Sequence, residues 1–71
     1  MAKGETAIPK APAARILLSG GAKRVSASAV DAFVRVLEER AFHISERALQ
    51  LAKHSGRVTI QREDIEMAVR R

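Results

Sequence analysis

Residues 26–56 read SASAVDAFVRVLEERAFHISERALQLAKHSG. Between Ser26 and His54 there is neither glycine nor proline. The apolar residues Val30, Val34, Leu37, Ala41, Ile44, Ala48 and Leu51 step 4-3-4-3-4-3 along the chain. That is one sustained helical stripe. Ser26 suits the N-cap, and Ser55-Gly56 supplies the stop. The opposite side carries Asp31, Arg35, Glu38, Glu46 and Lys53. Phe33 and Val36 widen the apolar face, whereas Phe42 and Leu49 lie well off it. A helix that is apolar on two sides needs more than one packing partner.

The flanks are shorter. Residues 1–10, MAKGETAIPK, carry Gly4 and Pro9 without periodicity and read as a flexible basic arm. A helix of about ten residues follows, marginal alone. Pro12 fits its first turn, where a missing N–H costs nothing. Ile16, Leu17 and Ala13 form its apolar face, and Gly20-Gly21 end it. RVTI (57–60) favours β structure and reads as a loop that pairs briefly, with Thr59 placed to cap what comes next. A third helix then begins near Glu63 and Asp64 and ends at Arg70 and Arg71, a charge order that suits its dipole. Ile65, Ala68 and Val69 make its apolar face. The fold class is all-α: short helix, loop, long helix, loop, short helix, with residues 11–71 as one domain.

The lengths do not fit a lone chain. A helix of about 28 residues spans roughly 42 Å. A compact chain of 71 residues is a sphere only about 29 Å across. Its own flanking helices cannot cover the stripe, so a second chain is expected to cross along it. A small domain usually needs such a staple. There is no cysteine, which removes disulfides and thiolate zinc sites and fits a reducing cytoplasm. His43 and His54 lack the spacing of a helical metal pair, so no metal is expected. No stretch approaches the ~20 apolar residues of a membrane span, and no leader-like apolar region opens the chain.

The net charge is +5, with a pI of about 10.8. Residues 1–30 hold five cations against one acid, and residues 31–71 eight against seven. The excess at the front points to an anionic polymer or surface. No glycine-rich phosphate loop, metal cluster or nucleophile with a placed base is present. Glu38-Glu39 and Glu63-Asp64 read as solvated faces. No enzyme activity and no cofactor are therefore expected. Two phenylalanines cannot build a stacking platform for single strands. A 28-residue recognition helix would be anomalous for a helix-turn-helix reader.

GGAKRVS (20–26), LAKHSGRVT (51–59) and QREDIEMAV (61–69) resemble motifs of the archaeal histones, in order and at matching spacing. The resemblance runs from about Pro9 to Arg71. It implies a handshake dimer in which the first loop of one chain lies beside the second loop of the other. It also implies that these loops face double-stranded DNA, and that dimers stack into tetramers or longer assemblies. The chain would then be a chromosome-associated cytoplasmic protein that binds DNA without sequence readout and compacts it. Its partners would be DNA, itself or a similar chain, and no membrane. A histone-fold component of a transcription or repair complex is the alternative; the basic loop argues against it.

The resemblance also assigns residues. Arg24 matches an arginine that enters the minor groove, and Thr59 the threonine that pairs with it. Lys23 is a phosphate contact at a position often acidic in relatives. Arg15 matches a first-helix contact to the DNA backbone, and Lys10 adds attraction from the arm. Arg57 and Asp64 match an ion pair that fastens the second loop to the third helix. Leu51, His54 and Asp64 match the dimer–dimer contact. Gly21 matches a glycine that permits close stacking, though a plain helix stop explains it equally. Val58, Leu18, Gln61 and Phe42 replace residues that are often basic in the family.

Overall fold

The computed structural model describes residues 7–70. They form three helices, α1 (Lys10–Ser19), α2 (Ala27–His54) and α3 (Arg62–Val69), and no strand. The chain divides into two compact units, and the division falls inside α2, between Glu39 and Arg40.

In the first unit, Pro9 is extended at the N-cap of α1. Helix and N-cap begin just inside the stretch read as an arm. Gly20 and Gly21 donate to the carbonyls of Leu17 and Leu18, at 3.2 and 3.0 Å. Gly21 has φ +114°, a left-handed conformation that a Cβ would strain. Ser26 Oγ accepts the Ala29 N–H at 3.1 Å, satisfying one orphan donor of α2. Ala13, Val30 and Val34 form the core, with Ile8, Leu17, Val25, Phe33 and Leu37 packed on it. Val36 points away instead and is exposed, so the buried face is narrower than its sequence pattern implies.

Glu38 is the exception on this face. It lies one turn after Val34 and is buried at 9% exposure. Its Oε2 accepts the backbone N–H groups of Ala7 and Ile8, the latter at 3.1 Å. Glu38 is thus not part of a solvated acidic pair. It anchors the chain ahead of α1, and Lys10 adds an ion pair to Asp31 at 2.9 Å.

In the second unit, Ala48, Ala52 and Ala68 are the buried apolar residues. Ile65 and Val69, expected to be buried beside Ala68, are exposed, as are Leu49, Met67 and Phe42. Ala41 of the central stripe is exposed too. Two helices packed on each other cover only one side of each, and here the covered sides carry alanine.

Gly56 (φ +76°) ends α2. Its N–H donates to Lys53 O and the Arg57 N–H to Ala52 O, both at 2.9 Å. These two bonds define a Schellman cap. The cap of α3 is Gln61, not Thr59. Asp64 reaches back to accept the Gln61 N–H at 2.8 Å, which places the helix start two residues later than the hydroxyl of Thr59 would. RVTI forms no ladder within the described residues.

Val34 has no exposed surface. Val34→Ala removes two buried carbon groups and is expected to cost about 2 kcal/mol, cavity included. Urea unfolding checks this; an unchanged midpoint would remove Val34 from the core.

Candidate nucleic-acid interface

The cationic loop, residues 20–26, is held at both ends. Gly21 fixes one end through its positive φ and Ser26 the other through its cap. Between them Lys23 and Arg24 are exposed, and none of the ion pairs among the described residues engages them. Two acids of this unit are engaged elsewhere: Asp31 pairs with Lys10, and Glu38 accepts from the backbone before α1. Arg15 is exposed on α1. Lys10 is also exposed, but Asp31 holds its ammonium, which weakens it as a phosphate ligand.

The second loop is built around Arg57. The Schellman cap sets its backbone. Its guanidinium then meets Asp64 in a fork, Nη1 to Oδ2 and Nη2 to Oδ1, both 2.9 Å. Nη1 also donates to the Thr59 carbonyl at 3.1 Å. Asp64 is 5% exposed. The Arg57 hydrogen bonds, and then the Gln61 N–H, hold its carboxyl at about 2. The same pairing raises Arg57. Arg57 is thereby a brace of the loop rather than a free cation. The braced loop presents Val58, 93% exposed, together with Thr59.

Leu51 and His54 share a concavity between α2 and α3 of this unit. Asp64 does not line it; both its oxygens serve Arg57 and Gln61. Gly21 has nothing within 4 Å of where a Cβ would stand. Its conformation alone requires glycine, and the open space beside it admits a close neighbour. Among the described residues no group of three metal-ligating side chains converges, and no helix is long and apolar enough to cross a membrane.

Residues 6–69 match the family described as histone-like transcription factor (CBF/NF-Y) and archaeal histone. The chain belongs to that histone-fold family. It is 40% identical over 63 residues to a component of the archaeal histone HAN1 of Thermococcus zilligii, covering 89% of this chain and 94% of that protein. It is 44% identical over 63 residues, with the same coverage, to probable archaeal histone 3 of Methanocaldococcus jannaschii. The short-long-short order of helices is that of a histone-fold chain, and the match spans both loops.

Glu38 is the structural residue that the sequence pattern misplaces. A signal for it exists: it follows Val30 and Val34 at intervals of four, which puts a carboxylate on the apolar side of α2.

Asp64 sits at about 2 when folded, against an ordinary 3.8. The unfolded chain therefore binds more protons between these values, and stability rises with pH across that window. The stabilisation is complete above 3.8 and is lost as the pH falls through about 2. Asp64→Asn is expected to flatten this part of the profile in denaturant midpoints measured from about pH 2 to pH 5. Equal slopes in variant and wild type would show that the pair contributes no proton linkage.

Proposed function

We propose that this histone-fold chain pairs with a second copy, or a similar chain, along α2, and that the dimer binds and bends duplex DNA largely without sequence readout. The observation that carries the reading is the first loop, capped by Gly21 and Ser26, on which Lys23 and Arg24 are exposed and enter none of the ion pairs among the described residues. Uncovered apolar side chains support the dimer. Ile65, Val69, Leu49 and Phe42 remain exposed in a chain with almost no other way to bury them.

In the proposed dimer the first loop of one chain lies beside the second loop of the other. Arg24 then enters an inward-facing minor groove, where the negative potential is concentrated and a weakly hydrated guanidinium is favoured. Thr59, on the loop braced by Arg57, stands beside it and orients it. Lys23 and Arg15 neutralise phosphates. Bases are not read, so preference arises only from how easily a sequence bends. Two chains of +5 each bring the dimer to DNA by long-range attraction. Dimers lying side by side along the duplex, with Gly21 permitting close approach, would compact a chromosome.

The test is binding of a short duplex at several salt concentrations, by fluorescence anisotropy. Each lost phosphate contact lowers the slope of log K against log salt by about 0.9. Lys23→Ala removes one contact per chain, so the dimer's slope should fall by about 2. Arg24→Ala should weaken binding at every salt concentration. An absence of binding at low salt, or an Arg24→Ala variant equal to wild type, would contradict the proposal.

A further inference from the structure

Two contacts tie the start of α1 to α2, and they do different work. Glu38 is buried and accepts the backbone N–H groups of Ala7 and Ile8. Ile8 itself packs on the core of Ala13, Val30 and Val34. That contact, with the core behind it, secures the fold at this end. The second contact is the ion pair of Lys10 Nζ with Asp31 Oδ1, at 2.9 Å. It joins side chain to side chain. Lys10 opens α1, where the helix dipole disfavours a cation, and the first turn of α1 holds no acid of its own. The compensating carboxylate comes from α2 instead. Arg15, Lys23 and Arg24 also precede α2, yet Lys10 alone of these enters an ion pair among the described residues.

A phosphate offers an ammonium the same kind of charge-assisted partner that a carboxylate does. Two anions then compete for one cation. We propose that Asp31 is an internal competitor of DNA phosphate, holding Lys10 back from the DNA. For Lys10 to reach a phosphate, the pair at 2.9 Å has to break. The released carboxylate would then stand near the DNA charge, a repulsion that opposes the exchange. Asp31 thereby sets the affinity of the chain, and its sensitivity to salt, below what its cations alone would give. The proposal rests on the reading that the chain binds duplex DNA, and it adds a residue that tunes that binding.

The experiment measures binding of a labelled duplex to the full chain and its variants by anisotropy, over a range of salt concentrations. The wild type should bind, and Lys10→Gln should leave its slope of log K against log salt nearly unchanged. Asp31→Asn should bind more tightly. Its slope should steepen by about 0.9 per chain, or about 2 for the dimer, because each chain gains one phosphate contact. Adding Lys10→Gln to Asp31→Asn should take that gain away. Asp31→Glu, which keeps the carboxylate, should bind like the wild type. Helical circular dichroism should match throughout; loss of helix in Asp31→Asn would make Asp31 a structural residue and overturn the proposal. An unchanged slope in Asp31→Asn would overturn it as well. So would an equal steepening with and without Lys10→Gln, since Asp31 would then act as a bare charge and not through Lys10. A slope that Lys10→Gln alone lowers by about 2 would put Lys10 on phosphate already, against the proposal. Failure of every variant and of the wild type to bind would refute the DNA reading itself, and this proposal with it.

Discussion

A helix of 28 residues has to be covered by helices of ten and eight, and everything else in this chain follows from that shortage. α1 closes on the first half of α2 through Ala13, Val30 and Val34. The second unit buries little more than three alanines. Alanine allows close approach but removes little apolar surface from water, so this packing is thin. The apolar side chains that could thicken it are the ones left exposed. The proposed dimer is the direct answer: it supplies the missing cover, and it brings the first loop of one chain to the second loop of the other. DNA binding in this account is a product of the same contact that completes the fold.

Charge is used in two different ways. Arg57, Asp64, Lys10, Asp31 and Glu38 are engaged inside the chain, fixing loops and the approach to α1. Lys23 and Arg24 are left outside on a loop already fixed. A loop ordered in advance loses little freedom on meeting DNA, which favours affinity. The second loop, braced by Arg57, presents Val58 and Thr59, so its role in the proposed interface is to shape and orient more than to neutralise. That asymmetry places most of the attraction on the first loop.

Much of this was legible in the sequence, because punctuation is local chemistry. Ser26 and Gly56 mark the ends of α2 through a cap and a positive φ, and both act as their residue types dictate. The resemblance to archaeal histones agrees with the family match. Other features depend on tertiary placement. Thr59 has the right side chain for a cap, but Asp64, folded back by Arg57, moves the helix start to Gln61. Glu38 looks solvated beside Glu39 until the chain before α1 turns toward it. Val36 fits the stripe by spacing and still lies exposed, since no element of its own unit reaches it. The concavity at Leu51 and His54 excludes Asp64 for the reason that its carboxylate is already used.

The claim that a second chain completes the fold is tested most directly by thermal unfolding at different chain concentrations, without DNA. If folding and pairing are one transition, mass action makes the midpoint rise as the chain concentration is raised about a hundredfold. A midpoint that stays constant over that range, with full helical signal at the lowest concentration, would mean that the single chain is stable alone and would contradict the account.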